Sequence, residues 1–342
     1  MLKYAIIGFG GLGRVHLSNL NRLSKEGYDL NLVAICGTTA EKFKESVSLN
    51  LGDVDCSDID ISNCSFYDDY KELIDKENPD FIVSAVPTYL HKEVAVYALS
   101  HGINVFSEKP MALNVESCEE MIKASKNNNA FLMIGQCLRF DSSFVKLKEY
   151  VENKTFGKVN RAEFTRYSQT PLWTWNNWIL KEDKSGGCII DMHIHDVDLI
   201  NWIFGTPKSI HSVMTENKVE AEAIFTQYEM KDGTLILSSA DWSMPQKFPF
   251  EAKCLVNFEK ATVVIKDNSV VVYTDNEVIE ETFDGESYFY NEMKDFVECI
   301  TKKCTSETTS TESILDTVKI VMAEVKSAKE KNTIYINMEE EK

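Results

Sequence analysis

Through the first third of the chain, short and nearly continuous apolar runs alternate with stretches of helical spacing. Residues 3–7, 30–36, 81–86 and 103–106 lack the in–out alternation of a half-exposed strand, so strands covered on both faces are expected there. Between the first two, Leu12, Val15, Leu20 and Leu23 recur near helical spacing over 11–26. Strands separated by helices call for βαβ crossovers and a parallel sheet. After about residue 120 the pattern changes. Residues 161–167, 219–230, 234–242, 251–258, 262–266 and 270–273 predict strands, and Lys231-Asp232-Gly233 and Lys266-Asp267-Asn268-Ser269 are hairpin turn signals. Strands joined so tightly must be antiparallel, which predicts an α+β half on a large meander sheet. Two helical patterns, 288–302 and 312–330, then lead to a last strand at 334–337. The acidic, irregular residues 51–65 predict an exposed excursion.

Composition narrows the function classes. A length of 342 residues suggests about two domains, and 44% hydrophobic residues suffice for a sizeable core in each. Lys and Arg total 36 against 54 Asp and Glu, a net charge of −18 that repels phosphate backbones and anionic lipid, so neither nucleic acid nor membrane is expected as a partner. No stretch approaches the roughly 18 apolar residues of a spanning helix. The apolar run at the start is too short for a signal segment. Nine cysteines with no C-x-x-C pair, the nearest two being Cys299 and Cys304, read as small buried side chains in a reducing compartment. A cytoplasmic protein is expected.

Gly8-Phe9-Gly10-Gly11-Leu12-Gly13 is G-x-G-x-x-G, placed where the first strand gives way to the first helix. That placement suits a dinucleotide. Gly8 permits the tight turn, Gly10 lets backbone approach a pyrophosphate, Gly13 lets the helix pack on the strand, and the anion meets N–H groups at the helix start. A Rossmann NAD(P)-binding domain over residues 1–122 is therefore expected, followed over 123–342 by an α+β domain for substrate and oligomer contacts. At the end of the second strand a carboxylate would hold the ribose 2′-hydroxyl. Gly37, Thr38 and Thr39 stand there instead, which leaves room for a 2′-phosphate with Lys42 or Lys44 as counter-charge. The cofactor is NAD or NADP, with a lean to NADP.

Further motifs follow in order. Pro87-Thr88-x-x-His91 comes after the strand at 81–86. Glu108-Lys109-Pro110 follows Gly102-Ile103-Asn104-Val105, and Gly186-Gly187 precedes Asp191-x-x-x-His195-Asp196-x-Asp198. With the glycine loop and His16, the set resembles the Gfo/Idh/MocA oxidoreductases, the family of glucose–fructose oxidoreductase and inositol dehydrogenase, over essentially the whole chain. The resemblance implies that Lys109 lies between nicotinamide and substrate and that Asp191 and His195 are the acid–base pair. It also implies that Val86, Pro87, His91 and Glu108 line the cofactor. Three features depart from the family pattern: Gly37 in place of an acidic residue, His193 in place of a small one, and the long 51–65 stretch.

A helix is expected from about 191 to 204, ended by Gly205 and Pro207. Asp191, His195 and Asp198 stand at i, i+4 and i+7, on one face of such a helix. An imidazole there can take a hydroxyl proton while hydride leaves, and a lysine ammonium can favour the alkoxide. A satisfied core histidine is the plain alternative for His195, and a surface charge for Lys109. His193 and His195 form H-x-H, but i and i+2 point about 200° apart on a helix, so no metal is expected. His16 is read as a helix-packing residue. Arg139 pairs with an internal carboxylate or lies near the active site. Trp173, Trp175 and Trp178 anchor a loop or form an apolar platform for a sugar ring, with Trp178 the chosen substrate contact; Tyr167 and Tyr288 are weaker candidates for that wall.

The expected function is NAD(P)-dependent hydride transfer to or from a sugar, cyclitol or related polyol by a homo-oligomer associating through the second-domain sheet. Two alternatives stand beside it. One is NAD-assisted elimination or glycoside cleavage without net redox change. The other is a non-catalytic cofactor-binding regulator on the same fold.

Overall fold

The apolar runs at the start of the chain become neighbouring strands of one parallel sheet. In the computed structural model, residues 1–43, 47–49, 52–54, 56, 59–172, 174–215, 219, 221–266, 269–283 and 285–336 are described. The chain divides into two units. The first comprises Met1–Ala112, Glu116–Cys137 and Glu286–Thr311; the second comprises Leu113–Val115, Leu138–Gly285 and Glu312–Lys342.

In the first unit β1 (Leu2–Ile7), β2 (Leu30–Cys36), β5 (Ser65–Tyr67), β6 (Phe81–Ser84), β7 (Asn104–Glu108) and β8 (Leu132–Gly135) form a six-stranded sheet in the order β5-β2-β1-β6-β7-β8. All its pairings are parallel. The chain runs outward from β1 through β2 to β5, then returns to build the other half from β6. The order therefore reverses between β1 and β6, and at such a switch point the carboxyl ends of the strands splay and leave a crevice. Helices α1 (Gly11–Lys25), α2 (Ala40–Phe43), α3 (Tyr70–Glu77), α4 (His91–Ser100) and α5 (Val115–Asn128) connect these strands.

β3 (Val47–Leu49) and β4 (Gly52–Val54) pair as a small antiparallel ribbon where an irregular excursion was expected to begin; residues 51, 55, 57 and 58 of that stretch lie outside the described residues. β5 and β8 were not expected. Both are short, and four buried residues in β8 carry no periodicity to separate strand from buried helix.

The helix α9 (Tyr288–Lys302) belongs to this unit although it lies far along the chain. Its Phe296 is buried against Phe81, Phe106 and Phe131 at centroid distances of 5.4, 5.6 and 5.8 Å. Burying one such ring is worth about 2–3 kcal/mol, so α9 is part of the unit's core.

The second unit is built on nine strands: β9 (Val159–Gln169), β10 (Ser209–Thr215), β11 (Ala223–Glu229), β12 (Leu235–Met244), β13 (Glu251–Phe258), β14 (Thr262–Lys266), β15 (Ser269–Tyr273), β16 (Val278–Thr282) and β17 (Ile334–Tyr335). Their order is β16-β15-β14-β13-β9-β12-β11-β10-β17. The sheet is mostly antiparallel, as expected, but it is not one meander. β9 lies between β12 and β13 and pairs parallel with the former and antiparallel with the latter. An 11-residue strand with alternating burial can serve both neighbours, and the segment from Pro245 to Phe250 carries the chain past its end.

The strand expected over 219–230 begins only at Ala223. Ala221, in a left-handed conformation with φ near +50°, turns the chain just before it. The turn residues Asp267 and Asn268 lie outside the described residues, although β14 and β15 pair antiparallel on either side of them. Helices α6 (Ser142–Glu152), α7 (Glu182–Ser185), α8 (Ile194–Phe204) and α10 (Thr311–Glu330) complete this unit.

Candidate active site

Gly8 turns the chain at the end of β1 with φ near +89°, and a Cβ there would lie 2.5 Å from the Ala85 carbonyl oxygen. Only glycine satisfies both conditions. Gly13, in the first turn of α1, would place a Cβ 2.1 Å from the Gly8 carbonyl oxygen. Gly10 differs: its Cβ would meet nothing within 4 Å, and among the described residues no side chain caps the first-turn N–H groups of α1. Uncapped donors with open space before them fit a bound pyrophosphate.

The side chains of the loop are used differently from its backbone. The Phe9 ring is buried, stacked 5.2 Å from Phe43, with the Arg14 guanidinium 4.5 Å above it. Arg14 donates to the carbonyls of Phe43 and Lys42 at 2.9 and 3.0 Å, so it fastens α2 to α1. Gly11 and Leu12 are half-buried.

At the end of β2, Gly37 has φ near +92° and is exposed beside half-buried Thr38 and exposed Thr39. Lys42 is exposed there, while Lys44 lies outside the described residues.

After β6, Val86 and Pro87 are half-buried and His91 opens α4. The His91 ring is buried between two backbone oxygens, 2.7 Å from that of Pro110 and 2.9 Å from that of Val86. Burial lowers its pKa, with the two carbonyls opposing. It thus ties the loop after β6 to the turn after β7. That turn carries Lys109, which is half-buried and joined to Pro110 by a cis peptide. Glu108 is 4% exposed, and its carboxylate turns inward to His16 at 2.6 Å.

In the second unit, the expected helix over 191–204 starts earlier and wider. Residues Ile189–His193 form a π-helical turn that runs into α8. Asp191 and His195 are half-buried, one turn apart, whereas His193 is wholly buried with Nε2 3.1 Å from Glu324. Tyr228 also donates to that carboxylate. The two imidazoles of H-x-H therefore differ in setting, one in the core and one partly open.

Asp198 does not join Asp191 and His195 as a free carboxylate. It is 1% exposed and accepts from Arg139 Nε and Nη2 at 2.8 and 2.6 Å, and from Thr317 at 2.9 Å. Of the two roles weighed for Arg139, the internal partner is the one observed. Asp196 is bound in the same way by Arg166 at 2.7 and 3.1 Å.

Trp178 is half-buried in a short 3₁₀ segment in which Asn176 and Asn177 are left-handed. Trp173 and the Trp175 side chain lie outside the described residues. Tyr167 shares a hydrogen bond with Ser239 at 2.8 Å, and Tyr288 starts α9.

Residues 2–136 match the family model of the Gfo/Idh/MocA oxidoreductases, described as an NAD-binding Rossmann fold. Residues 144–264 match the model of the same family's C-terminal domain. The chain belongs to the Gfo/Idh/MocA family. It thus carries an NAD-binding Rossmann domain, which agrees with the uncapped glycine loop. Among Gfo/Idh/MocA relatives, it is 31% identical over 218 residues to a myo-inositol 2-dehydrogenase of Thermotoga maritima, covering 64% of this chain and 59% of that protein. It is 28% identical over 202 residues to a 2,7-anhydro-N-acetylneuraminate hydratase of Mediterraneibacter gnavus, covering 59% of this chain and 49% of that one. The matched stretch thus spans about half of these curated relatives. The crystal structure of a myo-inositol 2-dehydrogenase from Lactobacillus plantarum superposes with a TM-score of 0.78 at 26% identity, covering 98% of this chain and 99% of that one.

Two buried carboxylates on helices escaped the sequence analysis. Glu292 lies on the inward face of α9 with Met293 and Phe296, and Glu324 on that of α10 with Val321. An acidic residue within an apolar stripe is the signal that could have found them.

Proposed function

We propose that this Gfo/Idh/MocA member is an NAD(P)-dependent oxidoreductase moving hydride between the cofactor and a secondary alcohol or ketone of a sugar, cyclitol or related polyhydroxylated compound. The observation carrying this reading is the uncapped glycine loop, open above Gly10, at the switch point of a parallel sheet whose β7 ends in Glu108 just before Lys109. The relatives named inositol dehydrogenases support the substrate class.

A bound nicotinamide supplies the hydride acceptor or donor. His195 accepts the hydroxyl proton as general base or returns it as general acid. Lys109 stabilises the alkoxide oxygen. Asp191, one turn from His195, orients the ring and stabilises its charged form. Trp178 offers an apolar wall for the CH face of the ring substrate. Around the cofactor, Gly8–Gly13 receive the pyrophosphate, Gly37, Thr38 and Thr39 border the ribose without a carboxylate, and Val86, Pro87, His91 and Glu108 support the nicotinamide end. That border admits a 2′-phosphate, so NADPH is expected to bind alongside NADH.

Fluorescence titration with NADH and NADPH, followed by an inositol and sugar panel read at the nicotinamide absorbance, tests the reading. Binding of neither dinucleotide overturns it. The relative named a hydratase favours a second reading, elimination with the cofactor returned unchanged. Product formation without net absorbance change would select it.

The outer face of the nine-stranded sheet exposes Val213, Phe225, Leu235 and Leu237 at 45–56%. We propose that a second copy of the chain covers this face in a homo-oligomer.

A further inference from the structure

The first unit holds a buried polar cluster that the function above does not use. His16 lies on α1 one turn beyond Gly13, Glu108 closes β7, and Glu292 projects from α9. His16 and Glu292 are wholly buried and Glu108 nearly so. His16 Nε2 is 2.6 Å from Glu108 Oε1, and Glu108 Oε2 accepts the backbone N–H of Lys109 at 3.2 Å. Among the described residues neither oxygen of Glu292 has a hydrogen-bond partner, yet the ligating atoms of all three residues lie within 4.8 Å of one another. Gly135 leaves the room for this: a Cβ there would stand 3.0 Å from the Phe106 ring and 3.6 Å from Glu292 Oε2.

Two carboxylates and an imidazole so close suggest a metal ion, but the spacing points elsewhere. Two ligands each about 2.1 Å from one tetrahedral ion stand about 3.4 Å apart, whereas 2.6 Å is the length of a charge-assisted hydrogen bond. With His16 donating, Glu108 is an anion with both oxygens engaged. A second anion beside it, with no hydrogen-bond donor of its own, would be expensive. Burial, and secondarily Glu108, push the Glu292 carboxyl well above the usual carboxylate range, which favours the protonated acid.

We propose that His16 and Glu292 are positioning residues for Lys109, acting through the Glu108 carboxylate that both adjoin and that accepts the Lys109 N–H. His16 fixes that carboxylate to the helix whose start receives the pyrophosphate. Glu292 fills its far side without adding charge. The inference rests on the role of Lys109 proposed above, so its test includes readouts that need no turnover.

With NADH bound, His16→Phe is expected to raise the acetylation rate of Lys109, read by mass spectrometry, and His16→Gln, whose amide again offers an N–H, to restore it. On a substrate found by the panel, His16→Phe should lower kcat by about tenfold, the worth of one hydrogen bond to a charged group, and Glu292→Ala, which opens a hole beside Glu108, by a comparable factor, with the NADH Kd moved less than about threefold. His16→Gln and Glu292→Gln should rescue much of that loss. The infrared spectrum should contain a protonated-carboxyl band, sensitive to D2O and lost in Glu292→Gln. Absence of that band, or unaltered Lys109 labelling in His16→Phe, overturns the inference. If His16→Phe does not fold, the infrared band and the Glu292 pair decide. A chain with the band and the labelling change but no turnover on any substrate would instead count against the oxidoreductase reading alone.

Discussion

Arg139 and Asp198 meet through two hydrogen bonds of 2.6 and 2.8 Å where both side chains are almost wholly buried. Such a pair is weak evidence for stability, yet breaking it strands a charge. Arg139→Leu should therefore lower unfolding stability by about 3 kcal/mol or more, measured by denaturant titration. His195 is the contrasting case, half-buried and one turn from Asp191. His195→Ala should reduce kcat by about 10²-fold or more while the NADH Kd changes little, separable by steady-state kinetics and fluorescence titration. Turnover equal to that of the wild type would remove the acid–base assignment. Glu292 carries a pH signature. Its folded-state pKa is raised, so its contribution to stability is complete below the ordinary carboxylate pKa and is lost as pH rises toward the folded value. Melting curves from pH 4 upward should show this decline in the wild type, and a flatter profile in Glu292→Gln.

The glycine loop and β10 illustrate opposite degrees of legibility at the scale of elements. In the loop, the turn at Gly8 and the close approach at Gly13 are both required by backbone geometry, and the spacing alone announces them. Gly13→Ala should disturb both folding and NADH binding, because its Cβ would strike backbone 2.1 Å away. Gly10→Ala should melt within a degree or so of the wild type and lose much of its dinucleotide affinity, since a surface change costs only about 0.5 kcal/mol while its methyl enters the open space. Thermal shift with and without NADH distinguishes the two.

β10 was not legible because its alternation is inverted. Ser212 faces the core and shares a hydrogen bond with Thr226 at 2.8 Å, while Val213 faces outward opposite Phe225. Hydroxyls that satisfy one another can occupy a core strand, and no single-strand pattern reveals the partner.

At the scale of the whole molecule, an outward apolar face on β10, β11 and β12 combines with a net charge of −18. The homo-oligomer proposed above would bury these apolar side chains against the mutual repulsion of two chains of that charge. Phe225→Lys should shift the chain toward monomer in size-exclusion chromatography with light scattering, leaving NADH affinity in place. An unaltered mass would exclude this face as the interface.

The sequence by itself determined the parallel sheet, the dinucleotide loop, the mostly antiparallel second sheet and the order of the motifs, because these depend on local periodicity and on backbone conformations that few residues tolerate. Tertiary structure alone decided that Asp198 answers to Arg139 and Asp196 to Arg166, that residues 286–311 complete the core of the first unit, and that His16, Glu108 and Glu292 share one buried site. Those outcomes depend on contacts between segments up to nearly 280 residues apart. There a carboxylate's role follows from what surrounds it, and chain position carries no record of that surrounding.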